Sequence, residues 1–189
     1  SMAVVEGVLD SLYINSRMAR DGQKGRPAVS LGGASLSVSH IKLLESTGTQ
    51  ELLLALDMDE AGTEGTEKAL RLLLDSRLRA YVVSLPDGYK DPDELVRGQG
   101  LAPWLEALGR AERGASWLAR RIVSKHDIST DRGLDGALQE AWDILPRLQD
   151  KLLRKSFLDS LGASTGLSDD ILEQKAQEFD EKASQRASQ

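Results

Sequence analysis

The sequence predicts an α/β fold, a parallel sheet of about four strands flanked by helices, followed by an all-α helical bundle. Three observations carry this expectation. Four short β-rich runs alternate with helix-compatible stretches over the first hundred residues. Those runs are apolar almost throughout rather than alternating, as strands buried on both faces must be. Beyond residue 100 no comparable run recurs.

The strands are read at residues 3–5, 28–31, 51–56 and 80–85, and the helices between them at 9–20, 37–46 and 64–76. In the last helix Ala69, Leu70, Leu73 and Leu74 form a stripe suited to lie on a sheet. Strand–helix–strand repeated three times implies right-handed crossovers and mostly parallel pairing. The second half reads as helices at 102–111, 114–126, 132–145, 147–161 and 169–182. Ser129-Thr130 and Ser168 can cap helix amides, and Pro146 suits a first turn. Gly162 and Gly166 punctuate the last connection. The polar end, residues 182–189, is expected to fray. The expected division is an α/β domain over 1–100 and a helical bundle over 101–189.

Composition narrows the function classes. At 189 residues with 40% hydrophobic content, the chain can bury a real core. No apolar run approaches the roughly 18 residues of a membrane span, and no secretory pattern opens the chain. The expectation is a cytoplasmic protein with no membrane partner. Lack of cysteine excludes disulfides and thiolate zinc sites. A net charge of −6 argues against a general nucleic-acid clamp. The sign hardly changes along the chain, with 11 basic and 15 acidic residues up to residue 100 and 13 and 15 after it. Ser1-Met2 reads as an added remnant ahead of an excised fragment and is set aside from the strand reading.

The placement of acids carries the functional argument. Glu6 follows the first strand, Asp57 and Asp59 follow the third, and Asp91 and Asp93 follow the fourth across Pro86-Asp87-Gly88-Tyr89. In parallel sheets ligands bind just beyond the carboxyl ends of the strands. The five acids therefore converge on one edge. Packed carboxylates repel one another, and a cation relieves the repulsion. All-oxygen ligation suits Mg2+, with Mn2+ as a substitute, and a pair of ions about 4 Å apart serves phosphoryl transfer. Singly, an Asp after a strand is as readily a helix cap or turn former. An EF-hand reading of Asp57-Met58-Asp59-Glu60-Ala61-Gly62 fails, because its twelfth position is Lys68 and a strand precedes it. An aspartyl-phosphatase reading fits poorly, because that motif opens on the first strand and continues with a hydroxyl residue.

Other features are secondary. Gly32 and Gly33 could present amides to a phosphate, although a plain turn into the next helix explains them as well. Lys90 and Arg97 stand where nucleotide phosphates could be met. His40 and His126 lack a metal-ligand partner at helical spacing. Trp104, Trp117 and Trp142 fit helix packing better than base stacking.

These motifs resemble the Toprim domain of primases, topoisomerases and some nucleases. The glutamate is in Val4-Val5-Glu6-Gly7, and the Asp-x-Asp is in Leu56-Asp57-Met58-Asp59-Glu60-Ala61-Gly62. Leu85-Pro86-Asp87-Gly88-Tyr89-Lys90-Asp91-Pro92-Asp93-Glu94-Leu95 and Val29-Ser30-Leu31-Gly32 resemble the bacterial DnaG-type primase family in particular. Ile128-Ser129-Thr130-Asp131 and Leu167-Ser168-Asp169-Asp170 resemble the bundle that follows Toprim there. The resemblance implies RNA primer synthesis from nucleoside triphosphates on a single-stranded DNA template. In that role Asp57, Asp59, Asp91 and Asp93 hold Mg2+, and Glu6 serves acid–base chemistry or metal positioning. It also implies an amino-terminal zinc module and a basic template-gripping subdomain outside this chain, which leaves the fragment inactive alone. A replicative helicase partner, a place at the replisome and a phage or mobile-element origin complete the picture. A Toprim nuclease or a non-enzymatic replication interaction module are the alternatives. Two departures stand out: Tyr89 lengthens its turn by one residue, and residues 18–27 are longer than the family's usual stretch.

Overall fold

The computed structural model describes residues 1–33 and 35–187, with side chains up to residue 181. Its sheet has the order β2-β1-β3-β4-β5, built from β1 (Met2–Val5), β2 (Ala28–Ser30), β3 (Glu51–Leu54), β4 (Arg79–Val82) and β5 (Glu112–Arg113). The first four pair in parallel, with Ala3 opposite both Ala28 and Leu53 and Leu54 opposite Val82. β5 pairs antiparallel with β4 and was not expected, since two polar residues held only by their partner carry no pattern. The central strands are the most deeply buried: Ala3, Val4, Val5 and Leu52 are all fully buried. The strand assignments stop at Leu54 and Val82, short of the expected 56 and 85. The ladder still continues one bond further, through Ala55 N to Val4 O and Val83 N to Leu54 O at 2.8 Å each. β1 begins at Met2, which pairs with Leu52, so this residue belongs to the strand it was excluded from.

Helices α1 (Val8–Arg20), α2 (Val38–Ser46) and α3 (Glu60–Leu73) supply the crossovers. Residues 21–27 are exposed between α1 and β2. Arg26 Nη1 donates to Leu108 O at 2.8 Å, and the Asn15 amide brackets Ala28 by bonding both its N–H and its carbonyl. Two helices follow β4: α4 (Pro92–Gln99), unexpected, and α5 (Leu101–Gly109). α4 starts at the Asp91 cap with Pro92 in its first turn.

The chain divides into two compact units, Ser1–Gly114 and Ala115–Gln189. The first runs past residue 100 for a physical reason. α5 buries Leu101, Trp104, Ala107 and Leu108 in the same cluster as Ala3, Val5, Ile14, Leu95 and Val96. β5 then extends the sheet itself.

The second unit carries most of α6 (Gly114–Ser124), then α7 (Asp131–Ile144), α8 (Lys151–Thr165) and α9 (Asp169–Ala187). Thr130 caps α7 as expected, accepting Gly133 N. Pro146 lies in a short 3-10 turn, Leu145–Arg147, and α8 begins instead at Lys151 behind the Asp150 cap. Gly166 closes α8 in the left-handed region, while Gly162 lies inside that helix, packed against Leu167 and Leu172. Trp142 stacks with Phe179 at 5.6 Å. α9 continues through residues 182–187. Of the end expected to fray, Ser188 and Gln189 lie outside the described residues. Among the described residues no helix is long and apolar enough to cross a membrane.

Candidate functional site

Parallel pairing places the carboxyl ends of β1, β3 and β4 at one edge, and three loops meet there. Glu6, just past β1, joins them. Its Oε1 accepts the Asp57 amide at 3.2 Å, and its carbonyl accepts Ser30 Oγ and the Gly33 amide. The loops after β3 and β4 are tied by Met58 N donating to Lys90 O at 2.7 Å.

Two of the acids are helix caps. Asp59 Oδ1 accepts Gly62 N and Asp91 Oδ1 accepts Glu94 N, each at 2.7 Å. Asp57 is not a cap. Burial, followed by the charges of Glu6, Asp91, Asp10 and Asp59, pushes its carboxyl from 3.8 up to about 6. Gly62 is required beside it, since a Cβ there would overlap the Asp57 carbonyl oxygen. Asp93 Oδ2 accepts Arg97 Nε, whereas Asp93 Oδ1 is buried without a partner.

Asp10 joins this ring and was missed by the sequence reading. It sits in the first turn of α1 and accepts the Gly7 amide at 3.2 Å. Its carboxyl is raised first by burial, with Asp91 and Asp93 adding to the effect. The available signal was an acid one turn beyond Glu6, at a position where helices take acids as caps.

Several expectations change. Among the described residues no three His, Asp or Glu side chains come close enough to hold a metal ion. The five acids reach one edge without forming a ready-made coordination sphere, and Asp59, Asp91 and Asp93 each commit one oxygen to another partner. Gly32 N donates to Ser30 Oγ and Gly33 N to Glu6 O, so neither amide faces outward for a phosphate. Ala34, in the same loop, lies outside the described residues. Lys90 binds through its backbone, its amide to Glu94 Oε2, and its side chain is exposed. The Tyr89 ring lies on Gly98 and its hydroxyl accepts Gln99 Nε2 at 2.7 Å. His40 bonds the Ser37 amide, and His126 pairs with Glu140 in the second unit.

The donor set fits a hard divalent cation in two respects. Asp57 is disfavoured as an anion by burial and then by its acidic neighbours, and Asp93 offers an orphaned oxygen.

A Toprim-like family model matches residues 3–96. The DNA primase of Deinococcus radiodurans is 30% identical over 148 residues, covering 78% of this chain and 24% of that protein. A DNA primase domain from Pseudomonas aeruginosa superimposes with a TM-score of 0.69 at 28% identity, covering 93% of this chain and 54% of that one. A DnaG primase catalytic domain bound to single-stranded DNA gives 0.72 at 28% identity, covering 90% and 52%. The chain thus spans about a quarter of that curated relative and about half of the solved domains. Residues 3–96 belong to the Toprim-like family, and the relatives of this chain are bacterial DNA primases.

Proposed function

We propose that this chain is the Toprim and helical portion of a primase core, which joins nucleotides on a single-stranded DNA template by metal-dependent transfer. The carrying observation is the convergence of Glu6, Asp10, Asp57, Asp59 and Asp91 on one sheet edge, where burial first and then the neighbouring charges push the Asp57 carboxyl up to about 6. Asp57, Asp59, Asp91 and Asp93 would hold Mg2+ or Mn2+. When bound, such an ion neutralises phosphate charge and lowers the pKa of an attacking hydroxyl.

The chain's own residues do the rest. Glu6 holds the Asp57 backbone in place through Oε1. The Met58–Lys90 bond fixes the β3 and β4 loops relative to each other. The Lys90 ammonium stands in solvent beside them, suited to a nucleotide phosphate. Template, nucleoside triphosphates and a helicase partner would be engaged together with the parts of the primases that lie outside this chain.

Isothermal titration tests the reading. Mg2+ and Mn2+ give heat with the wild-type chain, and Asp57→Ala weakens or removes it. Wild-type protein giving no metal-dependent heat sinks the proposal. Incubation with single- and double-stranded DNA and RNA in Mg2+ leaves the strands intact; metal-dependent cutting would point to a Toprim nuclease instead.

A further inference from the structure

Arg97 stands where the helices of two acidic loops meet. α1 follows Glu6 and carries Asp10, while α4 begins at Asp91 and carries Asp93 in its first turn. The two helices pack on each other. From α4, Arg97 Nε donates to Asp93 Oδ2, and its guanidinium carbon lies 4.0 Å from the centroid of the Tyr13 ring on α1. A planar cation seated on an aromatic face is held in orientation as well as in place. The Asp93 carboxylate is thereby fixed through one oxygen. The other, Oδ1, is left buried and unpartnered although the side chain is only 19% exposed. An unpaired buried oxygen is costly and persists only where its surroundings hold it.

We propose that Arg97, braced on Tyr13, is a positioning residue that presents Asp93 Oδ1 to a divalent cation and ties the β1 and β4 loops against the repulsion of their acids. This rests on the metal-dependent reading above. Arg97 has two effects of opposite sign. Its charge opposes a nearby cation, whereas its orientation of a ligand favours one. The bonded and stacked geometry gives the second the larger weight.

The sign therefore decides the matter. Mg2+ titration of the full chain, with thermal melting as a control for folding, compares wild type with Arg97→Gln, Arg97→Lys and Tyr13→Leu. Arg97→Gln is expected to weaken binding about tenfold, the range typical of residues that orient a metal ligand. Arg97→Lys and Tyr13→Leu keep the positive charge and still weaken binding, by about threefold. Unchanged or tighter binding by Arg97→Gln overturns the inference while leaving the metal site standing. If Arg97→Gln does not fold, the same criterion is applied to the two charge-retaining variants. Absence of wild-type heat overturns the metal-dependent reading, and this inference with it.

Discussion

The loops after β3 and β4 both carry Asp-x-Asp, yet the helix that follows begins at the second aspartate in one and at the first in the other. After β3, Asp57 stays at the strand end and Asp59 caps α3. After β4, Asp91 caps α4 and Asp93 falls inside its first turn, paired with Arg97. The same spacing thus yields a strongly perturbed strand-end acid in one loop and an arginine-bound helical acid in the other. What differs is the residue three after each cap. Gly62 lets α3 approach the Asp57 backbone, whereas Glu94 turns back to the Lys90 amide. A motif's spacing does not set the roles of its members; the point at which the helix starts does.

The largest way to break the contrast is at Gly62. Gly62→Ala forces a Cβ into the Asp57 carbonyl, and urea denaturation should show a loss of about 2–3 kcal/mol. The caps come next. Asp59→Ala and Asp91→Ala should each cost about 1 kcal/mol in the same measurement, while Asp→Asn at either position keeps the acceptor and most of the stability.

Asp57 sharpens the contrast through pH. Its folded pKa is raised from 3.8 to about 6, so its stabilising contribution is complete below about 3.8 and is lost as pH rises through 6. At neutral pH Asp57→Asn should therefore stabilise the fold. The shift alone corresponds to about 3 kcal/mol, and solvent screening of a partly exposed carboxyl brings the expectation to about 1 kcal/mol. Melting curves of both proteins from pH 4 to 8 should converge at the acid end, and Mg2+ should narrow the gap at the neutral end. The smallest effect is at Glu94→Ala, an exposed contact whose removal should lower stability by about 0.5 kcal/mol.

Much of the α/β frame was legible because its strands are continuously apolar and its acids sit where those strands end. Other features were not legible. α4 is eight residues long and defined by its cap and Pro92, with too little length to show a period. β5 depends wholly on pairing with β4. In the site, the different roles within the two aspartate pairs were not legible because register with a helix start is a property of the backbone. The Tyr13–Arg97 contact depends on the packing of α1 against α4, which no local spacing records.

The bond from Met58 N to Lys90 O also bears on where this turn can change length. It anchors the β4 loop at Lys90, immediately before the acids and after the turn at Pro86–Tyr89. Residues added or removed within Pro86–Gly88, ahead of that anchor and of the packed Tyr89, should alter only the arc leading to it. Residues added behind it would rotate Asp91 away from its cap. The turn is therefore divided at one peptide into a permissive half, open to insertion, tagging or a spectroscopic label, and a half whose length is fixed by the acids it delivers.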